Sequence, residues 1–139
     1  MATETTTPST IAATSPDRDE ILRVVELYYD GMGKGDAGRF REAFHADAWI
    51  FYTDADGVLH NGPLVDRFEG WATGDGDYEG RIIAVTQAGD VASVLLELTN
   101  GADPSDSWVD FHALLRVDGA WKITNKTSTH SSRAARAKG

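Results

Sequence analysis

The sequence predicts an α+β domain, with helices first and a curved antiparallel sheet after them. Three observations carry this expectation. Between residues 17 and 44 the apolar side chains recur at helical spacing. Between residues 79 and 130 they recur in extended runs separated by Gly, Asp and Asn. Within the last run, WVDFHALLRVDGAWKITNKTSTH, Asp118-Gly119 stands between alternating apolar residues, the strongest short-range signal for a hairpin.

The first helix is expected from Asp17, a suitable N-cap with Glu20 three residues on. Ile21, Val24, Val25, Tyr28 and Met32 line one side, while Glu20, Arg23, Glu26 and Asp30 point away. Glycines at 31–35 end it. A second helix runs from Asp36 to about Phe44, with Phe40 and Phe44 on one face. Residues 47–53 form a strand, Asp54-Ala55-Asp56-Gly57 turns it, and Val58-Leu59-His60 is a short partner. Asn61-Gly62-Pro63 opens a third helix with Leu64, Phe68 and Trp71 on one side. A Gly/Asp loop over the cavity follows, then long strands at 79–87 and 90–100 around Ala88-Gly89, a polar loop at 101–106, and the final hairpin. Residues 1–16 are rich in Thr, Ser, Ala and Pro and read as a disordered tail; 131–139 read as a short flexible basic tail. The domain is therefore 17–130.

A two-residue turn sets the register of the last hairpin. Val117 faces Ala120, Arg116 faces Trp121, Leu114 faces Ile123, and continued pairing sets His112 against Asn125 and Asp110 against Thr127. Alternation then gives one face Trp108, Asp110, His112, Leu114, Trp121, Ile123, Asn125 and Thr127. The other carries Val109, Phe111, Ala113, Leu115 and Val117, with Lys122, Thr124 and Lys126 among them. The first face is apolar near the turn and polar at the far end, as a pocket wall would be. Both faces of residues 91–99 are apolar except for Glu97, which leaves that strand's inward side open.

Composition narrows the function. The chain has 139 residues, 41% apolar and 25% charged, enough for one domain with a real core. It has no cysteine, which excludes a disulfide framework, a thiolate nucleophile and a Cys-based metal site. A net charge of -9 argues against nucleic acid or an anionic membrane as partner. There is no apolar run of membrane-spanning length and no signal-peptide pattern, so the expected location is the cytoplasm. His45, His60, His112 and His130 match no metal-ligand spacing, and no cofactor motif is present.

Two segments resemble the nuclear transport factor 2-like superfamily: VVELYYDGMGKGDAGRFREAFHADA near the start, and VDFHALLRVDGAWKITNK near the end. The second is the more specific and is similar to the branch described as putative lumazine-binding, related to the SnoaL-like proteins. The resemblance covers about residues 17–130. It implies a cone-shaped fold in which three helices close one side of a strongly curved, mixed and mostly antiparallel sheet around a pocket. It also implies a homodimer through the convex sheet face, where Val109, Phe111, Ala113 and Leu115 would otherwise be exposed. Members of the superfamily include isomerases, dehydratases and cyclases, as well as proteins that only bind or dock. Their particular catalytic residues do not match this chain position by position.

The candidate site follows from the face assignment. Asp110 and His112 lie two apart on one strand, with Cβ atoms roughly 6–7 Å apart. A carboxylate beside an imidazole can orient it and raise its basicity, which suits general acid–base catalysis; the same pair could equally be a buried structural contact. Tyr28 could donate to a substrate carbonyl or be an ordinary core residue. Trp49, Phe51, Phe68, Trp71 and Trp108 are the aromatic walls, Asn125 an orienting amide, and Lys126 by parity a residue of the convex face. Two functions emerge. One is a cofactor-independent isomerase, dehydratase or cyclase acting on a small apolar, aromatic or polyketide-like molecule. The other is a non-catalytic ligand-binding or dimerisation module. The enzyme requires Asp110 and His112 in an open cavity of roughly 300 Å³ or more, with perturbed ionisation; the module tolerates a filled cavity and an engaged Asp110.

Overall fold

A computed structural model describes residues 15–74 and 76–134. Helices α1 (Arg18–Lys34) and α2 (Ala37–Ala43) come first. Strands β1 (Phe44–Thr53) and β2 (Leu59–Pro63) follow, then a 3-10 turn (Leu64–Arg67) continuing into the one-turn α3 (Phe68–Trp71). The chain closes with β3 (Tyr78–Ala88), β4 (Val91–Asn100), β5 (Trp108–Val117), β6 (Ala120–His130) and the short α4 (Ser131–Ala134). Of the tails predicted at 1–16 and 131–139, residues 1–14 and 135–139 lie outside the described residues; Ser15 donates its hydroxyl to Gln87 Oε1 at 2.7 Å, and residues 131–134 form α4. No described helix is long and apolar enough to cross a membrane.

The six strands form one mixed sheet in the order β2-β1-β6-β5-β4-β3, open at both edges. All neighbours are antiparallel except β1 and β6, which run parallel. Register shifts interrupt three pairings, at Phe44/Trp49, Ile82/Ala84 and Ala113/Leu114. Such bulges add local twist and bend the strand that carries them. The inner face packs on α1, whose Ile21, Val24, Val25, Tyr28 and Met32 are all buried at the predicted spacing. Ala92, Val94, Leu96 and Leu98 supply the inner side of β4, and Glu97 lies outside, paired with Arg81.

Helix α1 ends at Gly35, which adopts the left-handed conformation (φ 65°) that favours glycine at this position. One turn earlier, a Cβ on Gly31 would come within 2.8 Å of the Phe40 ring, so glycine lets α2 sit against α1. Asp36 caps α2 by accepting from the Gly38 N–H at 3.0 Å.

Two expectations change. Asp17 occupies the N-cap position of α1, but its carboxylate makes no capping bond. Instead it accepts from Gln87 Nε2 and from Arg116 Nη1, each at 2.9 Å. These long-range bonds tie the helix start to the far ends of β3 and β5 and outcompete the local cap. The third helix does not open at Asn61-Gly62-Pro63: β2 extends through Pro63, pairing it with Trp49, and the helical turn starts at Leu64.

Candidate functional site

The site depends on the register of the last hairpin. Asp118 (φ 51°) and Gly119 (φ 82°) form the predicted tight turn, both with positive φ. Near the turn the pairing is as expected: Val117 with Ala120, Arg116 with Trp121, Leu114 with Ile123. The next pair is Ala113 with Asn125, so Thr124 is the extra residue of a bulge. One inserted residue exchanges the faces beyond it, because side chains alternate with period two. His112 therefore pairs with Lys126, not Asn125, and Asp110 with Ser128, not Thr127.

The consequence is a correction at two positions. Lys126, expected on the convex face, is only 4% exposed and points inward. Asn125, expected in the pocket, lies on the outer side, where its Nδ2 donates to the Trp49 carbonyl at 3.1 Å. The parallel register of β1 carries the exchange one strand further, since Ile50 pairs with Lys126 and faces in. Trp49 and Phe51 pair with Asn125 and Thr127 and face out, 40% and 41% exposed, so they are not pocket walls.

A half-open cavity of about 180 Å³ lies between the helices and the sheet. Tyr28 and Met32 of α1, Arg67 of the 3-10 turn and Trp71 of α3 cover it from the helical side. Ile50 and Tyr52 of β1, Tyr78 of β3, Leu98 of β4, Trp108 of β5 and Lys126 of β6 line the sheet side, with Asp106 from the loop before β5. Of the predicted residues, the cavity thus gathers Tyr28, Trp71 and Trp108. Phe68 is core packing, 5.4 Å from Phe40 and 5.7 Å from Phe44 by ring centroids.

Asp110 and His112 are brought together but do not line the cavity: both are fully buried. Asp110 Oδ2 lies 3.4 Å from His112 Nε2, and Oδ1 lies 3.7 Å from Lys126 Nζ. Among the described residues neither carboxylate oxygen closes a hydrogen bond of full geometry, so the attraction within this cluster is chiefly coulombic. Burial pushes the Asp110 carboxyl upward; Lys126, His112 and Ser128 overcome that and hold it down at about 2. Burial lowers the His112 imidazole, with Asp110 only partly opposing it, and keeps the ring neutral. Burial also lowers the Lys126 ammonium, against the pull of Asp110. Tyr28 is raised well above its ordinary value by burial and then by Asp110, so its phenol stays protonated.

Lys126 shares the cavity lining with two other charged residues, Arg67 and Asp106, and is a buried cation of the sheet side. Its Nζ lies 5.4 Å from the Tyr28 ring centroid and 5.2 Å from that of Trp71, within cation–π range of both. On the opposite wall Asp106 accepts from the Tyr78 hydroxyl, from Trp108 Nε1 at 2.8 Å and from Asn100 Nδ2 at 3.2 Å. Burial would raise its carboxyl, and these three donors lower it. Arg67 donates to the Tyr52 hydroxyl at 3.3 Å, and the Tyr52 ring stacks on His60, which pairs with Asp54 at 2.9 Å. The sequence reading missed Lys126, Asp106, Arg67, Tyr52 and Tyr78. Only Lys126 carried a signal, its place in the closing motif. Among the described residues no three His, Asp or Glu side chains converge as a metal site.

The profile of the family described as putative lumazine-binding matches residues 16–128. Aldolase FrzH of Cladobotryum sp is 28% identical over 120 residues, covering 81% of this chain and 90% of that protein. Crystal structures of NTF2-like proteins of unknown function from Shewanella baltica and Methylobacillus flagellatus are similar over most of the chain. The first has a TM-score of 0.71 at 26% identity and covers 83% of this chain and 95% of its own. The second has a TM-score of 0.71 at 28% identity and covers 84% and 94%. The family and the fold implied by the two sequence motifs are both borne out.

Proposed function

The chain belongs to the putative lumazine-binding family of NTF2-like proteins, and from that premise we propose that it is a cofactor-independent enzyme. It acts on a small carbonyl compound by moving a proton at the carbon next to the carbonyl. Isomerisation, dehydration, cyclisation and aldol chemistry share this step, and the relative named as an aldolase supports the last of them. The observation that carries the reading is Lys126, a buried cation on the floor of an aromatic-walled cavity, backed by the Asp110–His112 pair. Lys126 meets the substrate, and Tyr28 donates to its carbonyl oxygen. Asp110 and His112 act through Lys126 as positioning residues, and Trp71 and Trp108 hold the substrate's apolar body. An engineered cavity of about 150 Å³ accepts benzene, so about 180 Å³ suits one ring or a short chain. Two copies meet across the outer sheet face, where Trp49, Phe51, Phe111 and Leu115 are between 40% and 56% exposed, and the protein works in the cytoplasm.

Two observations fail the condition set for an enzyme built on Asp110 and His112 and favour a second reading, a non-catalytic binding module. The cavity is smaller than roughly 300 Å³, the lower end for ligand pockets, and Asp110 and His112 are engaged behind it. Cyclohexanone in D2O distinguishes the two. The enzyme reading expects the α-proton NMR signals to decay faster with the protein than with buffer or with Lys126→Met. Shifts in the protein's resonances on adding the ketone, with no faster decay, would replace it with the binding module.

A further inference from the structure

Resting on the reading above, we propose that Lys126 bonds covalently to its substrate, forming an imine with the carbonyl carbon. The geometry supplies what such a lysine needs. Lys126 is among the residues lining the cavity, yet its side chain is almost wholly removed from water. Its nearest countercharge, Asp110 Oδ1, stands at 3.7 Å, an ion-pair contact that leaves the nitrogen free to approach a ligand. Rings of Tyr28 and Trp71 flank it at 5.4 and 5.2 Å and exclude bulk solvent. Desolvation favours the neutral, nucleophilic amine, as it does in lysines that form Schiff bases.

The groups facing Lys126 are Asp110 and His112 from β5, Tyr28 from α1 and Arg67 from the 3-10 turn. Of these only Asp110 holds a negative charge, and its role is set by the balance of the reaction. The neutral amine's lone pair attacks the carbonyl carbon, forming C–N while the π electrons move to oxygen. A proton passes from nitrogen to oxygen, giving the carbinolamine. The proton that Lys126 released to solvent on becoming neutral returns to the carbinolamine oxygen, so the C–O bond breaks and water leaves, forming the iminium. Counted from the ammonium, R–NH3⁺ and a ketone give the iminium and one water, with no net change in charge or protons. Asp110 therefore balances the same positive charge before and after. The iminium then withdraws electrons from the neighbouring C–H bond, the step on which the proposed chemistry turns.

The test uses wild-type protein, benzaldehyde and sodium cyanoborohydride near neutral pH. The reductant gives a hydride to the C=N bond and leaves a stable secondary amine. Peptide mass spectrometry then locates the label among the four lysines, Lys34, Lys122, Lys126 and Lys138. The expected result is label concentrated at Lys126. Each pH unit by which its ammonium is depressed raises the reactive fraction about tenfold. Lys126→Arg, which keeps a charge but cannot form the imine, leaves only background on the others. Label spread evenly over the lysines, or absent from Lys126, overturns the imine. If Lys126 is unlabelled while cyclohexanone exchange still depends on it, the covalent step alone falls. If both are absent, the enzyme reading falls as well.

Discussion

The buried cluster of Asp110, His112 and Lys126 gives a sharp energetic prediction. Asp110→Asn removes the carboxylate that pairs with the buried Lys126 ammonium at 3.7 Å. Two unit charges about 4 Å apart attract by about 4 kcal/mol at an effective dielectric near 20, and the contact here is 3.7 Å. Desolvation cancels much of that in the intact protein, but removing one partner leaves the cost without the gain. The single substitution should therefore destabilise by about 3–5 kcal/mol. Replacing both charges, Asp110→Asn with Lys126→Met, leaves no uncompensated ion, and such apolar replacements are often close to neutral. The double variant should then be more stable than Asp110→Asn alone by about 2 kcal/mol or more. Urea unfolding at pH 7, extrapolated to water, measures all four proteins of the cycle. Losses that simply add, within about 0.5 kcal/mol, would refute the coupling and the placement of Lys126 beside Asp110.

Other predictions follow from the same geometry. Stability should fall on acidification. Asp110 is moved from 3.8 to about 2, so its contribution of about 2 kcal/mol is present above pH 4 and is lost as pH falls towards 2. His112, lowered from 6.5, acts with the same sign from a higher pH, because the unfolded chain takes up a proton that the folded ring refuses. Melting temperature against pH should therefore decline below about 6.5 in wild type and less steeply in His112→Asn. Lys126→Met should raise the His112 pKa, read by NMR of the imidazole, since the lysine's charge now lowers it. Tyr78→Phe removes a donor to Asp106 and should cost about 1–2 kcal/mol in urea unfolding at pH 7. Phe111→Glu, on the exposed outer face, should abolish the proposed dimer in sedimentation; an unchanged size would exclude this face as the interface.

Much of the fold was legible because local chemistry and tertiary packing agree. The α1 stripe from Ile21 to Met32 is buried as its spacing demands, and Asp118-Gly119 turns where only two consecutive positive φ angles fit. Legibility ended where pairing is non-local. Nothing in the residue types around Thr124 announces a bulge, yet that one residue decides whether Asn125 or Lys126 faces in. The run Trp49-Ile50-Phe51-Tyr52 is apolar on both sides, so its parity depends on the neighbour β6 and could not be read alone. Asp17 looked like a cap because its true partners, Gln87 and Arg116, are 70 and 99 residues away. Asp106 and Arg67 reach the cavity from a loop and a short turn, where no periodicity marks an inward side chain. The Asp110–His112 pairing was visible from spacing, but that it stands behind a lysine was not.

The most direct test of the account is the titration of Lys126 itself, followed by NMR in protein with its lysine side chains isotopically labelled. With four lysines in the chain the spectrum is simple, and Lys126→Met assigns the signal. The account predicts one ammonium titrating below the ordinary 10.5, shifting when cyclohexanone is added, and falling further in Asp110→Asn. A Lys126 that titrates at the ordinary 10.5 and ignores both the ketone and the Asp110 substitution would place it outside the cavity and contradict the proposed site.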